Sequence, residues 1–159
     1  MPKEPLPRTP KVFMDSSSLF AGVASRSGAS RAILTLAEIG LLRIVVCQQV
    51  LDETRRNLQG KAPEAIPYFE QITSALNLEI VDYPSAEDVA KCKGMIRHVD
   101  DAPILAAAIN AAPDRLITLD IRHFIDDPRV ARESGLVIQT PSQFMVEIRG
   151  FLARGYEKE

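Results

Sequence analysis

The chain has no tryptophan, only two cysteines and just 6% aromatic residues. Two thiols, Cys47 and Cys92, exclude a disulfide scaffold and a cysteine-rich zinc site and point to a reducing compartment, with the cytoplasm as the expectation. No stretch approaches the roughly 20 consecutive apolar residues of a membrane helix, so no membrane role is expected. A glycine-rich phosphate loop is missing too, since Gly22 and Gly28 build no cradle, and nothing supports a nucleotide-binding reading. Charge of one sign is also absent: 19 basic against 21 acidic residues leave a net charge of −2. Any nucleic-acid partner therefore has to be met by a local patch rather than by the field of the whole domain.

What is present is 159 residues, 46% hydrophobic and 25% charged, which suits one globular domain with a real core. Met1 to Pro10 carries four prolines, mixed charges and no apolar run, and reads as a loose lead-in rather than a signal peptide. Residues 11–145 read as the domain itself, and 146–159 as the end of a closing helix and a tail.

Short apolar runs at Val12–Met14, Ile44–Cys47, Arg115–Leu119 and Val137–Gln139 read as buried strands, with Leu78–Val81 as a short edge strand. Helical spacing covers Ser30–Leu42, Gln49–Leu58, Pro63–Leu76, Ser85–Ile96, Asp101–Ala112 and Pro141–Ala153. Pro67 marks a first turn or a kink, and Ser85 is an N-cap ahead of Glu87 and Asp88. Strands alternating with helices predict a three-layer α/β/α domain around a mostly parallel sheet. In such sheets ligands bind beyond the carboxyl ends of the strands.

Four acids fall at that edge. Asp15 ends the first strand and Asp120 a later one; Glu53 and Asp101 lie where helices begin. Helical rotation of about 100° per residue sharpens the choice. It groups Val50, Leu51, Thr54 and Leu58 into a buried stripe flanked by Glu53, and turns Asp52 to solvent. The same count sets Asp101 at the head of the face formed by Leu105, Ala108, Ile109 and Ala112, with Asp100 off it. Singly, each acid has a plainer role: Asp101 as a helix N-cap before Pro103, Asp15 and Asp120 as turn residues, Glu53 as a solvated helix acid. Together they repel one another unless a cation is held, and oxygen ligands suit Mg²⁺ or Mn²⁺. His98, in a linker, and His123, in a turn, are not placed among the ligands, and Cys47 reads as core.

The constellation resembles the PIN domain, a family of Mg²⁺/Mn²⁺-dependent nucleases that includes the toxins of VapBC toxin–antitoxin pairs. The matching stretches are Val12-Phe13-Met14-Asp15-Ser16-Ser17, Val50-Leu51-Asp52-Glu53, Asp100-Asp101-Ala102-Pro103-Ile104-Leu105-Ala106 and Leu116-Ile117-Thr118-Leu119-Asp120, with Gln139 to Phe144 like the end of such domains. The resemblance implies that Asp15, Glu53, Asp101 and Asp120 are catalytic and bind the metal, with Ser17 and Thr118 as supporting polar groups. The sequence departs from the family at Leu119, where many members have glycine, and in the stretch from Gly60 to Tyr83, longer than in minimal toxins.

The expected activity is cleavage of single-stranded RNA, with Arg55, Arg56, Lys61 and Arg97 as candidate substrate cations. Expected partners are RNA, an antitoxin protein and a second copy of the chain, the last through an apolar surface of Ile33, Leu34 and Leu41. The alternative is a PIN-fold module that binds nucleic acid or regulates without strong catalysis. Other acid-bearing doubly wound folds fit less well. A receiver domain needs an acidic pair after the first strand and a lysine after the last; a haloacid-dehalogenase-like phosphatase needs an acid where Ser17 stands.

Overall fold

A computed structural model describes residues 3–76 and 78–157. Its centre is a five-stranded sheet made of β1 (Lys11–Met14), β2 (Arg43–Cys47), β3 (Glu79–Val81), β4 (Arg115–Ile117) and β5 (Ile138–Gln139). The strand order is β3-β2-β1-β4-β5, and every pairing is parallel. Apolar side chains fill both faces of β1, β2 and β4: Val12, Phe13, Met14, Val45, Val46, Leu116 and Ile117 are all fully buried. Burial on both faces is why these strands read as unbroken apolar runs rather than alternating ones. At the edge, β3 leaves Ile80 half exposed.

Among the described residues, eight α-helices flank the sheet: α1 (Ser16–Ala24), α2 (Ala29–Glu38), α3 (Gln48–Lys61), α4 (Ile66–Ala75), α5 (Ala86–Lys93), α6 (Ala102–Ala111), α7 (Pro128–Ser134) and α8 (Pro141–Glu157). One group packs α1 against α2 and α3, α2 against α8 and α3 against α4; in the other, α5 packs on α6, which lies against β2 and β3. Gly22 permits the close crossing of α1 and α2, because a Cβ there would stand 2.9 Å from Leu34 Cδ1 and 3.0 Å from the Ser30 carbonyl. Arg31 then finishes α1, donating to the Gly22 and Val23 carbonyls at 2.6 and 2.9 Å.

Pro67 stands in the first turn of α4, after a tight turn at Pro63–Ala65, and Ser85 caps α5 by accepting from the Asp88 N–H at 3.1 Å. Three expectations change. Ile33 and Leu34 are fully buried between elements of this one chain, so they form no free docking surface; of that trio only Leu41, 38% exposed, reaches the outside. A helix packed between two others, as α2 is between α1 and α8, needs two apolar sides for its own domain. The leading segment is anchored rather than loose: Leu6 is buried, and Glu4 and Lys3 bond to Arg115 and Glu147. The polar run after Asp15 is the first turn of α1 rather than a loop, and α7 and a wide turn at Ile121–Ile125 occupy a stretch without strong periodicity.

The chain runs outward from β1 to β2 and β3, then crosses back to β4 and β5 on the other side of β1. The strand order therefore reverses between β1 and β4, where the carboxyl edge opens a crevice.

Candidate active site

Asp15 follows β1 directly and stands at that reversal. It is the N-cap of α1, accepting from the Ser18 N–H at 2.9 Å and the Ser17 hydroxyl at 2.8 Å on one oxygen. Its other oxygen accepts from the Thr118 hydroxyl at 2.5 Å. Only 4% of the residue is exposed, and burial pushes its carboxyl above the ordinary carboxylate range against the pull of these donors. Thr118 lies one residue beyond β4 and is fully buried. Its hydroxyl oxygen also accepts the Asp120 N–H at 2.9 Å, while Ser17 Oγ accepts the Leu119 N–H at 3.0 Å. Two small hydroxyls thus tie the end of β1 to the chain leaving β4.

Asp120 accepts from the His123 N–H at 3.2 Å and lies 2.8 Å from His123 Nδ1, so it does cap its own turn. Asp101 does not cap α6: its side chain accepts from no N–H of that helix. It sits 3.1 Å from His98 Nδ1 and 3.9 Å from His123 Nδ1 instead. Burial raises the Asp101 carboxyl above its usual range; His98 opposes the shift, and Asp120 adds to it as a like charge. On the far side, Glu53 accepts from the Ser16 hydroxyl at 2.8 Å and from the Gln49 amide at 2.9 Å. Gln49 also reaches the Asp100 carbonyl at 3.5 Å. The rotation argument matches the burial: Glu53 and Asp101 are half-buried, Asp52 and Asp100 exposed.

Hydrogen bonds and chain neighbours together close a ring around the carboxyl edge: Asp100, Gln49, Glu53 and Ser16 by hydrogen bonds, Ser16 to Asp15 along the backbone, Asp15, Thr118, Asp120 and His123 by hydrogen bonds, and His123 to Asp101 at 3.9 Å. Four carboxylates from four segments lie along it without forming one tight ligand group; among the described residues the ligand atoms within 4.8 Å of one another are those of His98, Asp101 and His123. Ser16, Gln49, His98 and His123 are participants that sequence reasoning left out. Gln49 and Glu53 carry a local signal, an i,i+4 spacing that places two helical side chains side by side, and His98–Asp101 and Asp120–His123 are i,i+3 pairs; the two histidines meet each other only through tertiary packing.

The expected cations disperse. Arg55 pairs with Glu70 and stacks over Phe69, its guanidinium 5.1 Å from the ring, and so turns toward α4. Lys61 lies over Phe20 at the far end of α3. Arg56 borders a cleft of ≈810 Å³ shared with Gln49, Glu53, Lys93 and Asp100. Arg97, in a long 3.8 Å pair with Asp127, borders a second cleft of ≈400 Å³ with His98, Arg122 and His123. Leu119, 45% exposed, lies outside the core and fills no part of the ring.

The donor set suits a hard divalent cation. Oxygens dominate, Asp101 Oδ1 has no hydrogen-bond partner among the described residues, and Asp15 keeps one lone pair after three donors.

An all-parallel sheet with acids at its switch point defines a doubly wound α/β class rather than one protein. The family model described as PIN domain matches residues 11–122, and the chain belongs to that family, whose members are generally nucleases. Among solved structures, it is similar to a chain of VapBC2 from Rickettsia felis, determined bound to a DNA fragment from the VapBC2 promoter. The identity is 19% and the TM-score 0.59, covering 82% of this chain and 98% of the other, a likeness of fold. No curated protein matches the sequence significantly. No helix among the described residues is long and apolar enough to cross a membrane.

Proposed function

We propose that this chain is a metal-dependent endoribonuclease that cleaves single-stranded RNA in the cytoplasm and acts as the toxin of a toxin–antitoxin pair. The observation that carries the reading is the ring of hydrogen bonds and chain neighbours that sets Asp15, Glu53, Asp101 and Asp120 along the carboxyl edge at the β1/β4 reversal. When bound there, Mg²⁺ or Mn²⁺ supplies charge neutralisation at a phosphodiester and a water of lowered pKa.

The protein's own groups do the rest. Thr118 and Ser17 fix the Asp15 carboxylate, so its direction is set before substrate arrives. Ser16 and Gln49 do the same for Glu53. Acids alone repel a phosphate backbone, and the two flanking clefts meet that need: Arg56 and Lys93 border one, Arg97 and Arg122 the other. A flexible strand can run between them across the ring, whereas a duplex is too stiff to follow that path. The fold likeness to a VapBC2 chain supports an antitoxin partner. A homodimer would have to use surfaces other than Ile33 and Leu34.

The test incubates end-labelled single-stranded RNA, duplex RNA and DNA with the protein and Mg²⁺, Mn²⁺ or chelator. Single-stranded RNA should be cleaved only with metal, and Asp15→Asn should abolish cleavage. Tight RNA binding by the wild type without cleavage under any metal would replace this reading with a binding or regulatory module.

A further inference from the structure

We infer that His98 and His123 join Asp101 as ligands of a divalent first-row transition ion, of the Fe²⁺ to Zn²⁺ class, which this end of the ring takes in preference to Mg²⁺. The inference shares Asp101 with the site proposed above. It rests on that reading for the ion's part in cleavage, not for the ion's binding.

The local backbone builds the pair. His98 precedes a tight turn at Val99–Asp101, closed by the Asp101 N–H on the His98 carbonyl at 3.0 Å. In such a turn side chains at i and i+3 eclipse, so His98 and Asp101 stand on one side. His123 comes from the far side of the sheet reversal, held by the N–H and side-chain contacts to Asp120 already described. The two imidazole rings stack with centroids 4.7 Å apart and planes at 24°. One ligand atom from each of His98, Asp101 and His123 falls within 4.8 Å of the others. Around an ion with bonds of about 2.1 Å, neighbouring ligand atoms stand about 3.0–3.4 Å apart. The 3.1 Å separation of His98 Nδ1 from Asp101 Oδ2 lies within that span.

Chemistry selects the ion. Imidazole nitrogen suits Zn²⁺, Fe²⁺ and Ni²⁺, whereas Mg²⁺ holds to oxygen and keeps its waters. Asp120, 2.8 Å from His123 Nδ1, holds that nitrogen as carboxylates behind metal-bound histidines do, which leaves Nε2 as the His123 atom for the ion. His98 is half exposed and both rings line the ≈400 Å³ cleft, so the outer side of the trio is open to water or a phosphate oxygen. Three protein ligands with an open position are the pattern of a working ion rather than a structural one.

The experiment titrates the purified protein with Co²⁺, following its visible absorption, and with Zn²⁺ by calorimetry, with Mg²⁺ in excess. Nitrogen ligation at low coordination number gives Co²⁺ bands far stronger than those of the aqueous ion. The wild type should show them, Zn²⁺ should erase them, and Mg²⁺ should not. His98→Ala/His123→Ala should lose the bands and weaken Zn²⁺ binding at least about 10-fold. His98→Asn, changed only at an exposed loop position, gives the same comparison with the fold undisturbed, as circular dichroism would verify. Weak, aqueous-type Co²⁺ bands in the wild type, or histidine variants that bind Co²⁺ and Zn²⁺ like wild type, would overturn the inference. RNA cleavage is read separately: strong bands without cleavage leave the nitrogen-ligated site standing and sink the nuclease reading, and cleavage with aqueous-type bands does the reverse.

Discussion

The two ends of the sheet treat buried charge in opposite ways. At the amino end, Arg115 is 2% exposed yet fully answered: its guanidinium holds Glu147 at 2.8 and 3.0 Å and donates to the Glu4 and Asp114 carbonyls. Arg115, with help from Lys3, pulls the Glu147 carboxyl down to about 2. At the carboxyl end, Asp15 and Asp101 are buried or half-buried with no lysine or arginine among the described residues in contact, and both are pushed upward, Asp15 and Asp101 alike mainly by burial. Charge at the first end ties the lead-in, β4 and α8 together. Charge at the second costs stability in the metal-free protein and is kept available for an added cation.

The largest expected effect breaks the amino end. Glu147→Ala leaves Arg115 buried with only carbonyl partners and should cost about 3–5 kcal/mol, read as a lowered midpoint in urea denaturation. Next comes Asp15→Asn, which should lower cleavage about 100-fold or more while the denaturation midpoint moves little, because charge relief offsets the altered bond with Thr118. Glu53→Ala should lose cleavage on a similar scale, whereas Asp52→Ala, exposed and bonded only to Gln48, should keep it. Equal losses at Asp52 and Glu53 would mean that the phase of α3 does not decide which acid works.

The smallest effect sharpens the contrast in sign. Asp101→Asn loses no helix cap and removes repulsion from Asp120, so the metal-free protein should gain about 0.5 kcal/mol; a clear loss by calorimetry would restore a capping role. The pH dependence divides in the same way. Glu147, depressed from 4.5 to about 2, contributes stability that is present above pH 4.5 and lost as pH falls toward 2. Asp15 and Asp101, raised from 3.8, impose a cost at neutral pH that fades as acid protonates them. Glu147→Gln should therefore flatten the acid limb of a stability profile, and Asp15→Asn should reduce the loss of stability toward neutral pH.

The sequence by itself determined the sheet, because strands buried on both faces must be apolar runs, and Val12–Met14, Ile44–Cys47 and Arg115–Ile117 can be little else. It also determined which acid of each neighbouring pair faces inward, since helical rotation is a local property: Glu53 rather than Asp52, Asp101 rather than Asp100. Periodicity said less of α1, whose serines serve both as a helix start and as donors, or of α7, which is too short to show a stripe. Only the tertiary structure decided which charges are answered. Arg55 lies two residues from Glu53 yet turns to Glu70 on α4. Arg115 heads a run read as a buried strand, and the partner that answers its charge, Glu147, lies 32 positions on. His98 and His123, 25 residues apart, stack only because the strand order reverses between β1 and β4. Periodicity is written in neighbours three or four residues apart; a charge's partner is fixed by the crossover that brings distant segments to one edge, and no local spacing records that.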